Sequence, residues 1–176
     1  MEAEGRRALV VQGDVSDERQ VEATFDQAVE AFGTVDILVN NAGVDALGSP
    51  IAELSTEVWD RAIRTNVYGY FFCCRRFAQL RTAAGGGGKV INVTSVHEDV
   101  PNAGGADYDC SKGAIRMLTR TLALELGEQR EMRSTAWATE VTGGKTNSRG
   151  MTDHSLASTT GMSTRARVTC TPWVSR

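Results

Sequence analysis

Short apolar runs alternate with long helical patterns along this chain, and that alternation limits the folds open to it more than any other feature. Ala8–Val11 reads as a strand, Val35–Val39 (Val-Asp-Ile-Leu-Val) as a second, and Lys89–Val93 (Lys-Val-Ile-Asn-Val) as a third. Between the first two lies a helix. Asp17 and Gln20 have capping-box spacing, Val21, Phe25, Ala28, Val29 and Phe32 follow at helical period, and Gly33 suits the stop. Ser55 is placed to cap a long helix over about 55–81, and a further helix is read over about 108–126, with Ile115, Leu118, Leu122 and Leu126 on one stripe. Strands that alternate with helices predict an α/β domain with a parallel sheet. Ligands of such sheets sit at the carboxyl ends of the strands, where Asn40–Gly43 and Thr94-Ser95 fall.

The second feature is chemical. Tyr108 and Lys112 are four residues apart on a predicted helix, so they share a face. An ammonium beside a phenol favours the phenolate and makes a tyrosine usable for proton transfer near neutral pH. Ser95 can meet the pair from the end of the third strand. By itself, a Tyr and Lys at this spacing are also compatible with a surface pair.

Several function classes are excluded or disfavoured. The formal charge of -3 gives no bulk electrostatic footprint for nucleic acid. No apolar stretch approaches the roughly 18 residues of a membrane span, and Met1-Glu-Ala-Glu-Gly-Arg-Arg lacks the apolar centre of a signal peptide, so a cytoplasmic location is expected. Cys73, Cys74, Cys110 and Cys170 form no CxxC pair and there are two histidines, so no metal site is expected. Cys73 and Cys74 read as packing residues. The glycine run 85–88 follows a helix and precedes a strand, the reverse of a phosphate-binding loop. Asn92-Val-Thr94 matches a glycosylation sequon by chance inside a predicted strand. His97 reads as an exposed loop histidine in preference to a substrate contact.

Taken together, the residues resemble the classical short-chain dehydrogenase/reductase family. Asn40-Asn41-Ala42-Gly43 matches its NNAG signature. Ser95, Tyr108 and Lys112 match its serine and YxxxK pair in identity and spacing. Asn66 matches its further catalytic asparagine, and Asp14-Val15 its adenine-contacting pair, although Asp14 also suits a simple approach to a helix. The resemblance covers about residues 8–127 and is similar, around Ile91–Glu98, to the glucose 1-dehydrogenase and 3-oxoacyl-carrier-protein reductase branches.

The resemblance implies a Rossmann-like doubly wound sheet and an NAD- or NADP-dependent oxidoreductase acting on a small secondary alcohol or ketone (a sugar, polyol or 3-oxoacyl-like compound). Tyr108 would exchange the substrate proton, Lys112 would hold the nicotinamide ribose and lower the Tyr108 pKa, and Ser95 would orient the substrate oxygen. Asn66 would hold a water joining Lys112 to solvent. Asp14, Val15, Asn40, Ala42 and Gly43 would form part of the cofactor wall. The helices at 55–81 and 108–126 would carry a homo-oligomer contact.

Two departures from the family pattern are expected. The strand, TGxxxGxG turn, helix and second strand that open the family's sheet have no counterpart here, so the sheet is expected to be partial. With the family order 3-2-1-4-5-6-7, Ala8–Val11 would lose its neighbour and Val35–Val39 would keep Lys89–Val93. After 127 the pattern changes: 16 of the 49 residues from Glu128 to Arg176 are Ser or Thr, and the segment carries +3. This suggests a domain at 1–127 and a disordered tail at 128–176 with the look of a changed reading frame. The alternative reading is an inactive fragment, serving as an interaction module or existing as an unstable truncated product.

Overall fold

Asp17 starts the first helix. Its side chain accepts from Arg19 N, and α1 runs Glu18–Phe32 until Gly33 takes the left-handed conformation (φ 84°) and returns its N–H to Val29 O. The computed structural model describes residues 7–45, 48–130, 132–139, 141–142, 145–146 and 167–170, with side chains described to residue 126. Val21, Phe25 and Ala28, spaced along one face of α1, are buried.

β1 follows at Ile37–Asn40. Ser55 Oγ accepts from Val58 N and opens α2, Thr56–Ala62. The long helix read over 55–81 is interrupted. A π-helical turn at Ile63–Tyr68 joins α2 to α3, Gly69–Ala83. The wider turn is where Asn66 sits, and such turns recur at functional sites. β2 is Gly88–Ser95, a 3-10 turn covers Val96–Glu98, and α4 spans Ala106–Arg130, past the boundary read at 127.

The main sheet is parallel throughout. β1 pairs with β2 in the register Ile37↔Lys89 to Asn40↔Asn92. β3, Met132–Thr139, pairs with the other edge of β2, and β6, Arg167–Cys170, with the other edge of β1, giving the order β3-β2-β1-β6. A small antiparallel pair joins β4, Val141–Thr142, to β5, Lys145–Thr146. The α/β class and the β1–β2 partnership read from the sequence are the observed ones.

The strand read at Ala8–Val11 is not formed. That segment has no ladder partner, and Val10 is 93 % exposed. The outer edge of β1 is already paired with β6, so this four-residue run finds no place beside β1. In the stretch read as a disordered tail, the described residues are the end of α4 and β3 to β6; the remainder lies outside the described residues. β6 occupies the flank of β1 where the resemblance puts the family's first strand.

One apolar core joins the helices to the sheet. Val21 and Phe25 from α1, Cys73, Cys74 and Phe77 from α3, Leu122 from α4, and Leu38 and Val90 from β1 and β2 pack together. Phe25, Leu38 and Phe77 are fully enclosed, and burying side chains of this size supplies roughly 1.5–3 kcal/mol each. This core holds the carboxyl ends of β1 and β2 beside the first turns of α4.

Candidate active site

β2 ends at Ser95, whose hydroxyl does two things. It accepts from His97 N at 3.3 Å, turning the chain into the 3-10 segment, and it lies near enough to the Tyr108 phenol to lower its pKa. Tyr108 lies in the first turns of α4 and is half-buried. One turn on, Lys112 is buried and donates from Nζ to Val93 O at 3.2 Å. Its ammonium lies 5.3 Å from the Tyr108 ring centroid and 5.9 Å from that of Tyr70. Tyr70 OH donates to the same Val93 carbonyl at 2.8 Å. Ser95, Tyr108 and Lys112 therefore form one cluster at the end of β2.

The electrostatics differ from the simple expectation of a phenol depressed by its lysine. The Tyr108 pKa is raised above 10: desolvation leads, the Ser95 hydroxyl works against it, and the negative charges of Asp45 and Asp109 add to it. Burial pushes Lys112 down to about 8, against the pull of Asp45 and Glu98. Desolvation wins at both groups because burial outweighs the charges and hydrogen-bonding groups around them.

Asn66, fully buried in the π-helical turn, clamps the chain after β1. Its Oδ1 accepts from Val44 N at 2.8 Å, and its Nδ2 donates to Val44 O at 3.0 Å and to Ser111 Oγ at 2.9 Å. Ser111 Oγ in turn donates to Tyr108 O at 2.7 Å. The clamp thus reaches from the β1 turn to the helix that carries Tyr108 and Lys112. Gly43 lies within it: a Cβ there would come 3.4 Å from Asn66 Oδ1 and 3.8 Å from Lys112 Nζ. The missing side chain leaves a cradle directly beside the lysine.

The remaining wall residues play more structural parts. Asn40 is 1 % exposed and belongs to a buried polar chain. Its Nδ2 donates to Asn92 Oδ1 at 2.9 Å, and Asn92 Nδ2 donates to Thr119 Oγ1 at 2.9 Å. Ala42 is buried as well. The Asp14 carboxylate turns back on its own loop and accepts from Ser16 N at 2.9 Å. Val15 packs against Gly69 at the start of α3.

Sequence reasoning missed two neighbours of this cluster, Asp45 and Asp109, and gave a third, His97, the exposed-loop reading in preference to a substrate contact. Asp45 follows the NNAG turn, and its charge acts on both Tyr108 and Lys112; its place beside the turn was the available signal. Asp109 follows Tyr108 directly. His97 is not simply an exposed loop residue, since its ring meets Tyr108 edge-on at a centroid distance of 6.1 Å. Among the described residues no cluster of His, Cys, Asp or Glu could hold a metal ion, and no helix is long and apolar enough to cross a membrane.

Residues 1–151 match the family model described as short chain dehydrogenase. A 3beta-hydroxysteroid dehydrogenase 1 of Eggerthella lenta is 44 % identical over 129 residues, covering 73 % of this chain and 49 % of the relative. A short-chain type dehydrogenase/reductase of Picea abies is 44 % identical over 124 residues, 70 % of this chain and 45 % of the relative. Glucose 1-dehydrogenase 2 of Bacillus subtilis is 38 % identical over 125 residues, 71 % and 48 % respectively. The chain spans about half the length of these curated relatives. A solved structure described as a short-chain alcohol dehydrogenase from Sinorhizobium meliloti 1021 superposes with a TM-score of 0.73 at 33 % identity, over 78 % of this chain and 53 % of that one.

Proposed function

We propose, since this chain belongs to the short-chain dehydrogenase family, that its site serves hydride transfer between NAD or NADP and a secondary alcohol or ketone, with Tyr108 as acid and base. The observation that carries the reading is the cluster itself. A serine hydroxyl acts on the phenol, and a buried ammonium lies 5.3 Å from the same ring, next to a glycine that leaves a cradle.

The nicotinamide-ribose end of the cofactor fits these residues. Lys112 Nζ spends one donor on Val93 O and carries further protons for ribose hydroxyls. Gly43 leaves the adjoining space open. A bound nicotinamide supplies the hydride chemistry, which no side chain here can perform.

Tyr108 keeps its proton at neutral pH because burial raises its pKa. It therefore starts as an acid toward a carbonyl oxygen and is left as the phenolate; only that phenolate, formed in the free site by prior loss of the proton to solvent, receives the proton of an alcohol in the reverse direction. Ser95 Oγ, close enough to the phenol to influence its pKa, is placed to donate to the same substrate oxygen and so to fix its position. Lys112, down at about 8, changes charge within the working pH range and alters the field on the phenol as it does so. Asn66 holds the Val44 backbone and Ser111 in place and so keeps the wall rigid.

A homo-oligomer through the α3 and α4 face is part of the reading. The two helices leave between them a groove of about 460 Å³ lined by Phe71, Arg75, Leu118 and Leu122 among others. Leu124 on α4 is 76 % exposed. Size-exclusion chromatography with light scattering checks it; a monomer at all concentrations rejects it.

The test of the main reading is the change in reduced-nicotinamide absorbance with a panel of polyols, sugars and ketones, alongside calorimetric titration with each dinucleotide. Turnover that vanishes in Tyr108→Phe supports the reading. The absence of both turnover and dinucleotide binding overturns it for this chain.

A further inference from the structure

His97 and Asp109 lie beside the reacting group, and the steps above use neither. His97 Nδ1 is 2.8 Å from Val100 O. A carbonyl only accepts, so Nδ1 carries the proton, and in the neutral ring Nε2 is left with its lone pair. Nε2 has no hydrogen-bond partner among the described residues, and the side chain is 31 % exposed. The ring meets Tyr108 at 75° with centroids 6.1 Å apart. An unoccupied acceptor therefore sits on the ring that packs edge-on against that of Tyr108.

Asp109 holds this arrangement from behind. Its Oδ2 accepts from Asn102 N at 2.6 Å, which ties the loop after β2 to the first turns of α4. Its Oδ1 is buried, makes no hydrogen bond, and lies 3.9 Å from His97 Nδ1. Gly105 makes room for it: a Cβ there would come 3.1 Å from Oδ1. A carboxylate facing Nδ1 favours the Nδ1–H tautomer and turns Nε2 toward the open side.

We propose that His97 is a specificity-determining residue whose Nε2 accepts a hydrogen bond from a second hydroxyl on the carbon next to the one Tyr108 serves, with Asp109 as the positioning residue that fixes its tautomer. The substrate class is then a vicinal diol or α-hydroxy ketone. A plain secondary alcohol lacks the donor, and a neighbouring carboxylate would set its charge against a lone pair. The proposal rests on the oxidoreductase reading for the place of the reacting carbon.

The test uses the full chain, with cis-1,2-cyclohexanediol and cyclohexanol as matched probes. The chain has two histidines, so His97→Gln assigns the imidazole ¹⁵N signals. The expected spectrum is the Nδ1–H tautomer, with an Nε2 resonance that moves on adding the diol and stays on adding cyclohexanol. Asp109→Asn mixes the tautomers. By calorimetry, His97→Gln, which keeps an acceptor near the Nε2 position, retains the preference for the diol. His97→Asn, which places its amide near Nδ1, loses it by about tenfold. An Nε2–H tautomer, or equal responses to the two probes, overturns the proposal. A diol-specific shift without turnover by the wild-type chain or Tyr108→Phe rejects the oxidoreductase reading and leaves the His97 site standing. Turnover with equal kcat/KM for the two alcohols rejects the His97 assignment alone.

Discussion

Lys112 Nζ sits 5.3 Å from the centre of the Tyr108 ring and donates a hydrogen bond to Val93 O. Its burial holds the ammonium down at about 8 against an ordinary value of 10.5. The folded chain therefore binds fewer protons than the unfolded one between these two values, so stability rises with pH across that window. Below about 8 the folded state carries the whole cost of the buried charge, of up to about 3 kcal/mol. Lys112→Met is expected to raise the neutral-pH Tm, flatten the rise between pH 8 and 10.5, and abolish dinucleotide binding. Thermal melts across pH, paired with calorimetry, check this. An unchanged pH profile rejects the buried-charge account.

Tyr108→Phe removes the proton and keeps the ring against His97, so the fold is expected to survive while turnover falls by about 10²–10⁴-fold. Ser95→Ala is expected to cost about 10²-fold in kcat. It also removes the hydroxyl that opposes the rise of the Tyr108 pKa, so the alkaline limb of the pH–rate profile should move to higher pH. A limb that moves to lower pH means that Ser95 does not act on the phenol in this way.

The sequence made the site residues legible more readily than their electrostatics. Tyr108 and Lys112 are one helical turn apart, and spacing alone puts them on one face; β1 and β2 are short apolar runs with clear ends. The sign of the Tyr108 shift was not legible, because it depends on how much water the fold removes and on Asp45 and Asp109, which are charges of no special type in the chain. Nor was the π-helical turn at Ile63–Tyr68. Its apolar positions fit an ordinary helix, and only the fit of Asn66 to Val44 reveals the wider turn. Ala8–Val11 failed as a strand for the opposite reason. Its composition suits a strand, yet ladder bonding requires a neighbour, and β6 already lies on β1. The same competition for one edge put a strand where composition alone argued for a tail.

Asn66→Ala leaves the Val44 N–H and C=O and the Ser111 hydroxyl without their shared partner in a fully buried position. The expected cost is about 2–4 kcal/mol, from unsatisfied polar groups and the small cavity. Urea unfolding measures the cost, and hydrogen exchange at the Val44 amide locates it. If that amide is as protected in the variant as in the wild type, the clamp is not what orders the turn.

Gly69 begins α3 in a helical conformation, φ -57°, where alanine would ordinarily stabilise a helix by about 1 kcal/mol. Here the opposite is expected. A Cβ at this position would lie 2.8 Å from Val15 Cγ2, 3.1 Å from Val15 Cβ and 3.3 Å from Val15 O. The valine cannot rotate away from all three contacts, because its carbonyl belongs to the backbone and its Cβ position is fixed by Cα whatever the rotamer. The overpacking cost of about 1–3 kcal/mol then outweighs the helix gain. Val15→Ala removes the two branching methyls and leaves the Cβ and carbonyl contacts, so the double variant should recover part of the loss, with a coupling of about 0.5–3 kcal/mol. A double-mutant cycle in urea measures that coupling. Additive losses would mean that the loop carrying Asp14 and Val15 does not press on α3 in solution, and the wall built from Val15 would lose its support.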